Sequence, residues 1–97
     1  IFCAGVYGKM LQRELEKRLI DIAYFVDNDE SKWGQEYNGI PCVGMEQLMK
    51  DKDDMLIIVA NKQPDSIVQD LQEKGFKFII TKQELDEKLK KIPVVSA

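Results

Sequence analysis

Hydrophobic and polar residues follow two different periods along the chain. Leucine recurs every four residues from Leu11 to Leu19, with charged residues between, which is typical of one apolar face on an amphipathic helix. Two nearly unbroken apolar runs, residues 22–26 and 55–60, are too short for helices and indicate buried strands. The pattern therefore predicts a helix over residues 8–19, followed by buried strands.

The rest of the chain continues the alternation of strands and helices. Short strands are expected at residues 1–3, 40–43 and 76–80, and helices are expected at residues 45–50, from Pro64 to a stop at Gly75, and from Thr81 toward Pro93. Thr81 and Glu84 match a capping box, which opens a helix. A proline at position 41 is expected to confine its strand to a sheet edge. Residues 30–39 predict a loop, with a single helical turn at residues 29–32.

This element order predicts the fold class. Strands that alternate with helices are joined in parallel by helical crossovers, and the run at residues 55–60, apolar on both faces, is expected to be the central strand. The expected fold is an α/β domain with a Rossmann-like open parallel sheet and helices on both faces. It would occupy residues 1–92, with 93–97 as a tail or linker. Because the chain starts at Ile1 without an initiator methionine, we expect it to be part of a larger protein.

Composition excludes several classes of function. Of the 97 residues, 44% are hydrophobic and 32% are charged, as in a folded globule, and no run approaches the about 18 apolar residues of a membrane span. The net charge of -3 disfavours a nucleic-acid or membrane-surface partner, because either would require a basic patch, and no membrane insertion is expected. With no histidine and only Cys3 and Cys42, we expect no metal site and no disulfide framework. Free thiols favour a reducing, cytoplasmic location.

The strongest chemical signal lies after the first predicted strand. Ligands of parallel α/β sheets bind beyond the carboxyl ends of the strands, and residues 3–8 read C-A-G-V-Y-G, the dinucleotide fingerprint G-x-G-x-x-G with Cys3 in place of its first glycine. Gly5 would let the backbone approach a diphosphate, and Gly8 would let the helix pack against its strand. Asp27 follows about 20 residues after Gly8, where the fingerprint places a carboxylate for ribose hydroxyls.

Further candidate binding residues lie at the same strand ends. They are Val6, Tyr7, Lys9, Asn28, Asn61 and Lys62. Tyr7 would stack on a base or sugar, or cover the sheet edge, and Lys9 would reach a phosphate or be solvated. Trp33 and Tyr37 would stack on a base or form a lid over the site, although packing against the sheet is favoured for Trp33. Because no histidine is present to activate a thiol, Cys3 is expected to be a buried spectator. Glycine-rich turns followed by an aspartate also occur in α/β domains that bind nothing there.

The order of short motifs adds a resemblance to a family. The stretches "IFCAGVYGK", "YFVDND", "KWG", "NGIP" and "LIIVA", within about residues 1–80, resemble the small Rossmann-like N-terminal domain of bacterial sugar acyltransferases of the sialic acid O-acetyltransferase and bacillosamine N-acetyltransferase type. Similar modules are fused to glycosyltransferases and methyltransferases of surface-polysaccharide synthesis. The resemblance implies a UDP-sugar-like ligand at residues 5–8 and 27–28, and a fused catalytic domain.

The chain also departs from that family. Tyr7 stands where a histidine is usual, Cys3 stands where a glycine is usual, and no hexapeptide repeat follows in these residues. The hypothesis is a non-catalytic domain that binds a nucleotide or nucleotide sugar and has no tightly bound cofactor. The alternative is a structural or protein-interaction module with a degenerate nucleotide site. An NAD-dependent oxidoreductase is less favoured, because no Tyr-x-x-x-Lys pair lies on the expected elements and the chain is too short for a substrate domain.

Overall fold

The computed structural model describes residues 1–91, and within them four α-helices and five strands follow one another. The helices are α1 (Val6–Lys17), α2 (Met45–Lys50), α3 (Asp65–Glu73) and α4 (Lys82–Leu89). The strands are β1 (Phe25–Val26), β2 (Glu36–Tyr37), β3 (Ile40–Val43), β4 (Ile57–Val59) and β5 (Ile79–Thr81), and a 3-10 turn, Glu30–Lys32, follows β1. The predictions of β3, α2 and the helical turn are confirmed, and those for Ile92, Pro93 and residues 94–97 lie outside the described residues.

The strands form two small sheets. In the first, of order β1-β3-β2, β1 runs parallel to β3 and β2 runs antiparallel to it. In the second, β4 runs parallel to β5. Phe2 lies between the sheets and forms single parallel bridges with Val26 and Val59. The expected Rossmann-like open parallel sheet is therefore wrong, and the fold is a small α/β domain with one mixed and one parallel sheet.

Two local conformations explain this difference. Cys3 has a φ of 85°, so the chain leaves the extended region after Phe2, and residues 1–3 do not form a full strand. Asn38 and Gly39 have φ values of 52° and 83°, and two positive φ values in succession are required by a type I′ hairpin turn. This turn folds β2 back onto β3 and introduces the antiparallel pairing that an alternation of strands and helices does not predict.

Pro41 lies in the middle strand of the mixed sheet, so the prediction that it confines β3 to an edge is wrong. The amide of Cys42 donates to the carbonyl oxygen of Gln35 on the β2 side. Because successive amides of a strand point to opposite edges, the missing donor of Pro41 faces the β1 side. The pairing of β3 with β1 begins only at Cys42, opposite Phe25, and so the proline removes no bond from it.

The strand β4 separates two hydrophobic clusters. Ile57 and Val59 pack into one with Leu71 of α3, whereas Ile58 packs into the other with Leu11 of α1. Burial on both faces is confirmed for residues 57–60, whereas Leu56 of the predicted run is exposed and β4 is not the centre of one large sheet. Within residues 1–91 no helix combines the length and hydropathy needed to cross a bilayer.

The two predicted helix boundaries at α3 and α4 are present. Gly75 follows α3 with a φ of 87°, a conformation that favours glycine beyond a helix end. At α4, the Thr81 hydroxyl accepts from the amide of Glu84, and the Glu84 carboxylate accepts from the amide of Thr81. The capping box fixes the first turn of α4 beside the end of β5.

Candidate functional site

A cleft of about 420 Å³ opens at the N-terminal end of α1. Its lining residues are Cys3, Gly5, Val6, Tyr7, Asp27, Lys32, Ala60, Asn61 and Lys62. Six of the nine predicted binding residues are among them, since Gly5, Val6, Tyr7, Asp27, Asn61 and Lys62 come together there. The other three, Gly8, Lys9 and Asn28, do not line the cleft. The predicted strand and helix ends thus converge on one cleft despite the different sheet arrangement.

The two glycines of the turn have different surroundings. Gly5 is the N-cap of α1, and a Cβ at this position would meet no atom within 4 Å. A Cβ on Gly8 would overlap the carbonyl oxygen of Cys3, so Gly8 is required for the close approach of α1 to residues 1–3. Gly5 is not required by the packing of residues 1–91 and leaves free space on the cleft side.

The N-terminus of α1 is open toward the cleft. Among the described residues no side chain hydrogen-bonds to the first turn of α1 as a cap, and the amides of a first helical turn have no partners within the helix. Gly5, Val6 and Tyr7 all line the cleft. The free amides and the positive end of the helix dipole favour an anion in this place.

Cys3 occupies the position of the first fingerprint glycine. Its φ of 85° is the left-handed conformation that a glycine would adopt without strain. Burial raises the pKa of the Cys3 thiol, and the hydrogen bond from the Asn61 amide nitrogen, 3.9 Å from Sγ, counteracts that effect. A thiol with a raised pKa is a poor nucleophile at neutral pH, which supports the interpretation of Cys3 as a spectator.

The Asp27 carboxylate is held by groups of the chain itself. Its Oδ2 accepts from the amide of Ala4 at 2.8 Å, and its Oδ1 accepts from the amide of Asp29 at 2.9 Å. The Nζ of Lys32 lies 3.5 Å from Oδ2, and the Asp27 side chain is only 15% exposed. Asp27 therefore fixes the backbone at Ala4 and the loop after β1. A contact with ribose would be added to that structural role.

Lys32 is a cleft residue that the sequence reasoning did not identify. It ends the 3-10 turn, Glu30–Lys32, whose N-cap Asp29 accepts from the amide of Ser31. Three residues separate the turn from β1, and the turn directs Lys32 back toward Asp27. The Asx-type signal of an aspartate two residues before a serine predicts the turn, but the sequence does not show the direction in which its lysine points.

The first turn of α4 supports the opposite wall of the cleft. Gln83 donates from Nε2 to the carbonyl oxygens of Asn61 at 3.0 Å and Lys62 at 3.5 Å. The Nζ of Lys82 lies 4.5 Å from the ring centroid of Tyr7 and 2.7 Å from a carboxylate oxygen of Asp86. Neither Lys82 nor Gln83 was predicted, because the sequence does not show that α4 begins beside this cleft.

Other candidate side chains contact the fold rather than the cleft. The Nζ of Lys9 lies 4.4 Å from the ring centroid of Tyr37, and that ring packs edge-on against Phe25. The Trp33 indole N–H donates to the carbonyl oxygen of Asp27 at 2.7 Å, and its ring covers Gly44. The packing interpretation of Trp33 thus fits its contacts, Tyr37 also packs within the fold, and Asn28 is exposed.

A second cavity, of about 240 Å³, is mainly apolar and lies elsewhere. Its lining includes Leu15, Tyr24, Leu48 and Leu56, and Asp21 is its one acidic lining residue. Binding sites combine apolar walls with several convergent polar groups. The cleft at α1 has such groups in free amides, two lysines, one carboxylate and one amide side chain, and it is the better candidate site.

Comparison with known proteins gives a family but no characterised relative. No curated protein and no solved structure shows significant similarity to the chain. A family model described as "C2185-like, N-terminal" matches residues 1–85. The expected membership of the sugar acyltransferase family is therefore wrong, because its short motifs mark turns and strand ends that do not specify one family. The chain belongs to the C2185-like N-terminal family.

Proposed function

We propose that this domain binds a nucleotide or nucleotide sugar, with a UDP-sugar as the representative ligand, and does not itself catalyse a reaction. The observation that carries the proposal is the open N-terminus of α1, where Gly5 leaves free space in a cleft that Lys32 and Lys62 also line. Backbone amides at a helix N-terminus and nearby ammonium groups are a common combination for binding phosphate.

The remaining lining suits the other parts of such a ligand. Asp27 and Asn61 offer polar groups to hydroxyls, and Tyr7 offers an aromatic ring. The volume of about 420 Å³ falls within the range of roughly 300–1,000 Å³ that is usual for small-molecule sites. The cleft therefore has one part for the phosphates and another for a sugar or base.

The side chains that could act in catalysis favour binding instead. The Cys3 thiol has a raised pKa, and the Asp27 carboxylate is already bonded to two amides. We therefore assign any reaction on the ligand to a fused catalytic domain. The free thiols of Cys3 and Cys42 support a cytoplasmic location for the domain.

Calorimetric titration with UDP and UDP-glucose tests the proposal. Gly5→Val should lower the affinity for both ligands more than tenfold, because the added side chain fills the space beside the α1 amides. The melting temperature should change little, since Gly5 has an extended backbone with φ of -92° and open surroundings.

A matched pair of charge variants tests the lysines. Lys62→Gln should lower the affinity for both ligands about threefold to tenfold, because it removes one exposed, charged hydrogen bond to the phosphates. Lys17→Gln removes the same charge from the last turn of α1 and should leave binding unchanged. Failure of the unmodified domain to bind either ligand at millimolar concentration would overturn the proposal, as would equal effects of the two lysine variants.

A further inference from the structure

Tyr7 is the one aromatic residue in the lining of the cleft within residues 1–91. It lies in the first turn of α1, directly after Gly5 and Val6, so a phosphate on the α1 amides would be close to its ring. The ring is half-buried, packing against the cluster that contains Leu11 and Ala60. It is therefore held at the wall of the cleft rather than free in solvent.

A buried ammonium group fixes this ring. The Nζ of Lys82 lies 4.5 Å from the Tyr7 ring centroid, and the Lys82 side chain is only 8% exposed. Asp86 pairs with the same nitrogen at 2.7 Å, so the ammonium is compensated and stays in place. Attraction between a cation and an aromatic face is strengthened when the cation is shielded from water, and here it gives the Tyr7 ring one preferred orientation.

The same helical turn fixes the wall beside it. Gln83, next to Lys82, donates to the carbonyl oxygens of Asn61 and Lys62, which both line the cleft. The first turn of α4 thus positions an aromatic ring and a polar loop, while α1 supplies the anion-binding amides. This arrangement is suited to a ligand with a phosphate at one end and a flat ring near it.

We infer that Tyr7 is the stacking surface for the nucleotide base and that Lys82 is the positioning residue that orients its ring. This inference rests on the proposed nucleotide binding and adds the part of the ligand that Tyr7 recognises. Stacking of a base on an aromatic side chain does not depend on hydrogen bonds to the base, and it therefore tolerates different bases. We therefore assign the discrimination between nucleotide and bare diphosphate to Tyr7.

Three ligands of increasing size test this inference by calorimetry, namely pyrophosphate, UDP and UDP-glucose. Tyr7→Leu should lower the affinities for UDP and UDP-glucose by the same factor, about fivefold to a hundredfold. The affinity for pyrophosphate should stay unchanged. Tyr7→Phe keeps the ring and should restore UDP binding. Tyr37→Leu removes an aromatic residue that packs on Phe25 outside the cleft, and any change it causes should affect all three ligands alike.

Lys82→Met tests the positioning role, since it keeps the length and the buried stem of the side chain but removes the ammonium. The affinity for UDP should fall, whereas the affinity for pyrophosphate should not. In NMR spectra, the uracil H5 and H6 protons should lose part of the upfield ring-current shift expected in the unmodified complex. A variant that only destabilised the fold would not change the ratio of UDP to pyrophosphate affinity at a temperature where it remains folded.

The outcomes separate the two proposals. If the unmodified domain binds none of the three ligands, the proposed function fails and this inference fails with it. If UDP binds normally to Tyr7→Leu, nucleotide binding stands and the assignment of Tyr7 is wrong. A loss confined to UDP-glucose would place the hexose rather than the base on the ring, and would also overturn the inference.

Discussion

Asp27 serves the fold at the same position where the sequence suggests a ligand contact. Its two carboxylate oxygens accept from the amides of Ala4 and Asp29, and Lys32 lies beside it. The carboxylate keeps acceptor capacity for one more partner, because an ionised carboxylate has about four lone-pair sites. A substitution at Asp27 would thus change stability as well as binding, and the glycine and lysine variants separate these effects better.

Cys3 gives a prediction about backbone strain. Its φ of 85° lowers the stability of the folded state by roughly 1–2 kcal/mol for any residue with a Cβ. Glycine avoids this strain, but the greater freedom of its unfolded chain lowers stability by about 0.4–1 kcal/mol. Both Cys3→Gly and Cys3→Ala remove the thiol, so they differ in the Cβ alone. Urea unfolding should show the glycine variant to be more stable than the alanine variant by about 0.5–1 kcal/mol.

The control for this prediction is a position with ordinary helical geometry. Glu16 is an exposed residue of α1, and there alanine should be more stable than glycine by about 1 kcal/mol. If alanine were also the more stable replacement at position 3, the left-handed conformation of Cys3 would contribute no strain.

At the scale of elements, local signals predicted structure where one residue type determines the geometry. The Thr81 capping box and the Gly75 stop are both such cases. The bounds of β3 and α2 were also as predicted, from their apolar patterns. Strand lengths were overestimated, since the apolar run at residues 22–26 forms a paired strand only at Phe25–Val26. An apolar run indicates that residues are buried. Hydrogen-bonded pairing of strands also requires a neighbouring strand at the right distance, and the sequence does not show where that strand lies.

The capping box gives a prediction for α4. Thr81→Ala removes the hydroxyl that accepts from the Glu84 amide, and should lower the free energy of unfolding by about 1 kcal/mol. Thr81→Ser keeps a hydroxyl acceptor and should lose much less. Chemical denaturation of both variants measures the difference. Equal losses in the two variants would mean that the Thr81 methyl group, and not the cap, stabilises this helix start.

At the scale of the whole molecule, the cleft was easier to predict than the sheet. One cleft is lined by residues that follow Phe2, residues that follow β1 and residues that follow β4. They meet there because Phe2 bridges to both Val26 and Val59. A single bridging residue suffices to bring these ends together. The division into two sheets depends on the left-handed conformation of Cys3, a position without the glycine that would indicate it. The antiparallel hairpin has a signal in Asn38-Gly39, the dipeptide typical of a type I′ turn, but the alternation of strands and helices outweighed it.

A long-range hydrogen bond makes the stability of the molecule depend on pH. The Tyr24 hydroxyl, just before β1, donates to a carboxylate oxygen of Asp51 at 2.7 Å, and Asp51 is the C-cap of α2. Burial and this hydrogen bond raise the pKa of Tyr24 well above its usual range. Hydrogen bonds from Tyr24 and from Gln47 lower the pKa of Asp51.

The two shifts act at opposite ends of the pH scale. A raised tyrosine pKa stabilises the fold fully below the unfolded value of about 10, and this contribution is lost as the pH rises above it toward the folded value. A lowered aspartate pKa stabilises the fold above the unfolded value of about 4, and this contribution is lost as the pH falls through the folded value. Between these limits, the Tyr24–Asp51 contribution should be constant.

Tyr24→Phe should therefore lower the melting temperature at pH 7, and the difference from the unmodified protein should narrow both below about pH 4 and above about pH 10. Asp51→Asn should remove the acid limb of this dependence. Asp53→Asn, in the same turn, leaves the Tyr24–Asp51 bond in place and should leave the difference between unmodified and Tyr24→Phe protein unchanged. Melting curves recorded from pH 3 to 11 measure these differences. Curves for Tyr24→Phe and the unmodified protein that stay parallel over the whole range would show that the phenol stabilises the fold by packing alone, without the hydrogen bond that joins the start of β1 to the end of α2.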